Sequence, residues 1–318
     1  MQTSNKSPWK LLGKLVLVCF LGCLTVAVIT ICALGGKPGF GDTYESVIQR
    51  KYEKLKNIEG PKIVIIGGSN AAFGIDVPLM EQETGYPVAN MGMHAGFGKL
   101  FMTEVAKDHI GEGDIVILAY EYRVNSDDFE ELGDVELIMM GIDNKLEMYR
   151  VIPLKSFPLI LGNVLPHLQK KVHRDHTETG IYSSASFDEQ GNLILKREKV
   201  IMGYDNPEGS VQGFRMSNPD DKQEYLKEFR EFVEGRGASV YFSAPVLLDK
   251  AYVGTAEQLH TYTSELVAAT GIPSISNPED YLFPLEDMFD TVYHCNDKGE
   301  RRRTELLIND LRRAGIVK

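Results

Sequence analysis

Two short apolar runs most limit what this chain can become. Residues 62–66 (KIVII) and 114–119 (DIVILA) each open on a charged residue and are apolar at every position after it. A strand with one wet face alternates apolar and polar residues; a continuous run is buried on both faces, as in a parallel sheet covered by helices. Three further strands are predicted at 87–90, 239–243 (SVYFS) and 272–275. Helical patterns are predicted over 42–58, 77–84, 99–110, 135–151, 156–172 and 255–270. Another opens at Asn218-Pro219-Asp220-Asp221 and ends at Gly235, with proline at its first position and acids in its first turn. The last starts at Asp297, with Glu300 completing a capping box. Alternating strands and helices predict an α/β fold. Five strands in this order suit a three-layer α/β/α sandwich with a parallel flavodoxin-like sheet, which binds ligands at the carboxyl ends of its strands.

Ahead of that domain, residues 15–34 are twenty uncharged, mostly apolar residues. As a helix they span roughly 30 Å, the thickness of a bilayer core. Lys6, Lys10 and Lys14 precede the run, so the positive-inside rule puts residues 1–14 in the cytoplasm and the large domain outside. The alternative is a cleaved signal peptide with its site at Ala33-Leu34-Gly35, but its apolar core usually has only about 7–15 residues. Residues 35–60 then form a linker and an amphipathic helix that lifts domain 61–318 off the membrane. The expected location is a bacterial cell membrane, crossed once.

Charge removes other classes. Beyond Lys37 the chain carries 30 basic against 45 acidic residues, opposite to the footprint of a nucleic-acid binder. Of the four cysteines only Cys295 lies outside the apolar run, so the domain has neither an internal disulfide nor a cysteine zinc site. His167, His173 and His176 do not follow a HExxH spacing, and no metal or cofactor is expected. Residues 127–131, mostly acidic, read as a solvated face.

Residues 173–217 break the alternation and read as an inserted β-hairpin and loop, expected to cover part of the mouth of a site at the sheet edge. The aromatics Tyr182, Phe187, Tyr204 and Phe214 have two uses open to them: stacking on sugar rings, or packing the insertion to the body.

Two motifs carry chemistry. Gly67-Gly68-Ser69-Asn70 follows the first buried strand, which puts a hydroxyl at the carboxyl edge of the sheet beside converging N–H groups. It lacks the Gly-Lys-Ser/Thr of a P-loop and the glycine spacing of a dinucleotide turn. Asp290 stands four residues before His294, just ahead of the last helix. In a five-strand sandwich both loops emerge at one edge, so nucleophile, base and orienting acid would meet there. His94 reads as a packed or solvent histidine, with substrate contact the alternative. Glu121 reads as an acceptor for loop N–H groups. Cys295, next to His294, is expected to point elsewhere.

These blocks resemble the SGNH/GDSL hydrolase superfamily over about residues 60–316. IVIIGGSNAAFGID is similar to its first block, which makes Ser69 the nucleophile. ANMGMHAGFG is similar to the second, whose backbone N–H completes an oxyanion hole and points to Ala95 or Gly96. DTVYHCNDKG is similar to the last, with Asp290 and His294 in its acid and base roles, although Asp and His are one residue further apart than in DxxH. The third block, GxND, is absent, and Tyr120-Glu121-Tyr122 stands there instead. That leaves Asn70 and Asn90 as alternatives for the side-chain oxyanion donor.

With the apolar run, the set resembles a membrane-anchored branch that acts in lipoteichoic acid D-alanylation and polysaccharide O-acetylation. The resemblance implies a serine esterase or O-acyltransferase, with an acylated cell-surface polymer or acyl donor and a membrane-bound acyltransferase as partners. The other reading is a catalytically inactive scaffold or binding protein on the same fold, which the missing block favours.

Overall fold

The structure is a computed structural model that describes residues 8–122, 129–198, 211–212 and 223–318. The first helix, α1 (Pro8–Gly35), is longer than the apolar run that predicts it, and it is exposed along nearly its whole length. It is the one helix among the described residues long and apolar enough to cross a membrane.

Four parallel strands build the sheet: β1 (Ile63–Gly67), β2 (Val88–Asn90), β3 (Ile115–Ala119) and β4 (Ser239–Phe242), in the order β2-β1-β3-β4. Ile63 pairs with Val88 on one side and Ile115 on the other, and Ile115 pairs with Ser239. Side chains alternate between two cores. Val64, Ile66, Val116 and Leu118 join one, together with α2 (Val47–Asn57), α5 (Gly98–Lys107) and α8 (Glu224–Gly235). Ile63, Ile65, Ile115 and Ile117 join the other, with α4 (Val77–Thr84) and α10 (Asp297–Arg313). Both faces are therefore covered, which is why the strand runs are apolar throughout. At the amino edge, Lys62 Nζ pairs with Asp114 Oδ2 at 2.7 Å and pins the β1–β3 register.

The expected fifth strand is not there. Residues 272–275 contribute a single parallel bridge, Phe242 to Ser274. Pro273 has no N–H to donate. Its carbonyl takes the Phe242 N–H at 2.9 Å, Ile275 donates back to Phe242 at 3.0 Å, and pairing stops.

Other expectations change in detail. The 135–151 pattern is α6 (Val135–Gly141) followed by a 3-10 turn, Leu146–Val151. The 156–172 pattern is α7 (Phe157–His173), and 255–270 is α9 (Ala256–Thr270) with its capping box formed. The opening Asn218-Pro219 lies outside the described residues, as do Tyr204, Phe214, Asp127 and Asp128. At α10 the cap is Asn296, whose side chain accepts from Gly299, and Glu300 binds Arg197 instead of closing a box. α2 does not hold the domain away from α1, because Val47, Ile48, Tyr52 and Leu55 are buried in the body. The described part of the insertion forms no extended hairpin: Phe187 bridges Leu193 around a turn at Gly191, Ser183 bridges Thr43, and Val211–Gln212 pair in parallel with Tyr252–Val253.

Candidate active site

Ser69 opens α3 (Ser69–Ala72) directly after β1. Two glycines make the approach possible. A Cβ on Gly67 would stand 2.4 Å from the Ala119 carbonyl oxygen, and one on Gly68 would stand 2.3 Å from both Glu121 carboxylate oxygens. On the other side of the site, residues 288–295 form a closed loop. Met288 bridges Cys295, and Phe289 N–H donates to the His294 carbonyl at 2.9 Å. The loop throws Asp290 and His294 to the same side.

Residues 225 positions apart in sequence meet here. His294 Nε2 is 2.7 Å from Ser69 Oγ. His294 Nδ1 is 2.8 Å from Asp290 Oδ1. A carboxylate only accepts, so the Nδ1 proton faces Asp290 and Nε2 is left to accept from the serine hydroxyl. The imidazole is buried and lies flat on Phe73, with ring centroids 4.1 Å apart and planes 10° apart. Tyr182, from the insertion, donates its hydroxyl to Asp290 Oδ2 and lies 3.3 Å from His294 Nδ1. Burial pushes the Asp290 carboxyl up, but the bonds from His294 and Tyr182 outweigh it and hold it below its ordinary value.

The oxyanion side differs from expectation. The Asn70 side chain is fully buried and donates to the Ala119 carbonyl at 2.9 Å, and its backbone N–H donates to Glu121 Oε1 at 3.1 Å. The Asn90 amide donates to the Ala71 carbonyl at 3.0 Å and accepts from Gly92 N–H. Both amides are buried, and each spends one N–H holding a turn in place. Gly96 N–H is also taken, by His94 Nδ1 at 2.9 Å, so His94 caps its own turn. Two backbone donors remain from the expected set. Ser69 and Ala95 each begin a helical turn, where an N–H has no intrahelical acceptor. Ala95 and Glu121 line one cleft of about 330 Å³, together with Lys99, Met102 and Leu132.

Cys295 is buried and its thiol is pushed up to about 12 by burial, the wrong direction for a nucleophile. His167 is buried against Asp143 at 3.2 Å. Among the described residues no group of three His, Cys, Asp or Glu could hold a metal.

Phe73 and Arg303 carry no motif that would reveal them in the sequence. Arg303 is buried behind the serine turn and donates to the Asn70 carbonyl. Arg197, also buried, donates to the Phe73 and Cys295 carbonyls at 2.9 Å each and to Glu300 at 2.7 Å. It ties this part of the insertion to both halves of the site. Phe187 stacks on Tyr44 inside the body, with centroids 5.5 Å apart, so its use is packing.

No protein-family model matches this chain, and no curated protein matches it. Among solved structures it is similar to the YxiM protein of Bacillus subtilis, at 12% identity and a TM-score of 0.35. That match covers 81% of this chain and 58% of the other, so the chain spans less than two thirds of that protein's length. A likeness at this level carries no argument about activity.

Proposed function

We propose that this chain is a serine-dependent esterase or O-acyltransferase of the SGNH type. Its substrates would be acyl groups on a cell-surface polysaccharide or a teichoic-acid-type polymer. The observation that carries the reading is the unbroken chain Ser69–His294–Asp290, with contacts of 2.7 and 2.8 Å at the carboxyl edge of a parallel sheet. In the proposed reaction Ser69 Oγ attacks the acyl carbonyl while His294 Nε2 takes its proton. Asp290 holds the imidazole and balances the imidazolium that forms. The N–H groups of Ser69 and Ala95 face the developing oxyanion. His294 then gives the proton to the leaving oxygen, and the acyl-enzyme passes its acyl group to water or to a polymer hydroxyl. α1 would anchor the domain outside a bacterial membrane with its N-terminus in the cytoplasm. A membrane-bound acyltransferase would supply the acyl donor.

A second reading, a catalytically silent protein on this fold, is favoured by one observation: Glu121 occupies the Asn70 N–H and brings a carboxylate against the serine turn. An anion there opposes a second anion on the substrate oxygen. A fluorophosphonate probe separates the two. The enzyme reading expects labelling of the wild type and none of Ser69→Ala. A folded wild type that stays unlabelled would refute it, and labelling that appears only in Glu121→Gln would identify the carboxylate as the block.

A further inference from the structure

We infer that the outer face of α7 rests on the lipid surface at the level where α1 leaves the bilayer. The inference rests on α1 spanning the membrane. Residues 157–168 (FPLILGNVLPHL) contain no Asp, Glu, Lys or Arg, and the one histidine among them is buried. On the body side, Ile160, Val164 and His167 are buried. The opposite side is also apolar: Leu161 is 53% exposed, Leu165 61% and Val172 70%, with Leu154 at 84% just before the helix. A water-facing helix carries polar residues on its outer side; here Asn163 alone interrupts the apolar surface before Gln169 and donates its amide to the Leu159 carbonyl, and a helix so apolar on both sides is covered by something.

What covers it follows from where the helix is fastened. The segment leaving α1 is bound to the carboxyl end of α7. Gly39 N–H donates to Asp143 Oδ2 at 2.7 Å, and Lys171 Nζ meets Asp143 Oδ1 at 2.7 Å. Arg174 donates to the Gly39 carbonyl at 2.8 Å, and Phe40 lies against the His167 ring with centroids 5.1 Å apart. Three residues therefore separate the end of α1 from Gly39, the point fixed to the end of α7, and Leu34 itself is buried in the body. With so short a tether, a helix fastened at the exit point lies at the bilayer interface. The polar groups match this position. Lys155 is exposed before the helix, and Lys170, His173 and Arg174 stand at its end, although Lys170 also pairs with Glu136 and Arg174 with Asp42. Basic residues flanking an apolar face reach headgroups while the face enters the acyl boundary.

The test uses the full chain in phosphatidylcholine–phosphatidylglycerol vesicles. Cys19, Cys23 and Cys32 are changed to serine, and single cysteines are introduced at exposed sites as Leu161→Cys, Leu165→Cys and Glu257→Cys. A fourth protein keeps only Cys23 of the three. Each carries an environment-sensitive fluorophore, and thermal melts confirm folding. Brominated acyl chains are expected to quench the labels at 161, 165 and 23 several-fold more than the label at 257, while aqueous iodide quenches 257 most. A quenched Cys23 label with 161 and 165 as water-accessible as 257 would overturn the inference and leave the anchor standing. An unquenched Cys23 label would overturn the anchor and the inference together. Labels at 161 and 165 that are shielded from both quenchers and cross-link between copies would replace the lipid by a second copy of this chain.

Discussion

Tyr182→Phe isolates one hydrogen bond in the candidate site. The hydroxyl donates to Asp290 Oδ2, and the ring packs on Tyr44 and Phe73 with centroids 5.9 Å away in each case. Phenylalanine keeps the ring and removes only the donor. A bond to a charged acceptor contributes about 1.5–3 kcal/mol. Tyr182 is 40% exposed, so water replaces part of what is lost and the effect falls at or below the lower end of that range. With 1.36 kcal/mol per tenfold in rate, the expected loss is about 3- to 10-fold in kcat/KM on a small activated ester. It should fall on kcat, because Tyr182 positions Asp290 and does not touch the ester. A second readout follows from the carboxyl itself. A carboxyl held below its ordinary 3.8 contributes stability that is present above about pH 4 and lost as pH falls through its folded value. Removing the tyrosine donor raises that folded value. The acid edge of the melting curve should therefore move to higher pH. Wild-type kcat/KM with an unmoved edge would refute the positioning role. A loss as large as that of Asp290→Ala would mean that the ring had shifted, not that one bond had gone.

Three further outcomes are expected. Arg197→Ala leaves Glu300 and two carbonyls without their donor and should cost about 3–5 kcal/mol in urea unfolding; a change below about 1 kcal/mol would contradict the buried-pair account. Replacing 180–197 by a Gly/Ser linker should lower the Tm together with activity on every ester, because Phe187 and Arg197 are buried in the body; an unchanged Tm would show the segment to be separable. Burial lowers the Lys51 amine to about 7, so between pH 7 and its ordinary 10.5 the unfolded chain binds a proton that the folded chain lacks, and stability rises with pH. Lys51→Met should flatten that rise, and parallel stability–pH curves for the two proteins would exclude the effect.

Much of this protein is determined by local sequence. Residues 63–66 and 115–118 pair in one register because each stretch is apolar at every position, and only a two-faced parallel sheet buries every position. That Ser69, Asp290 and His294 would meet was legible because each stands at or beside a strand end or a helix start, where local chemistry announces itself. The apolar run of α1 needed nothing beyond its length and composition. What the tertiary structure decided is everything that depends on a partner distant in sequence. Asn70 and Asn90 look like free amides until Ala119 and Ala71 are seen accepting from them. Gly96 looks like an oxyanion donor until His94 turns back onto it. The fifth strand ends after one bridge because Pro273 meets β4 at the position where a donor was needed. Tyr182 became part of the site, and Arg197 its clamp, through contacts about a hundred residues apart. A hydrogen-bonding side chain has several acceptors within reach in the unfolded chain, and only the packed fold selects one of them.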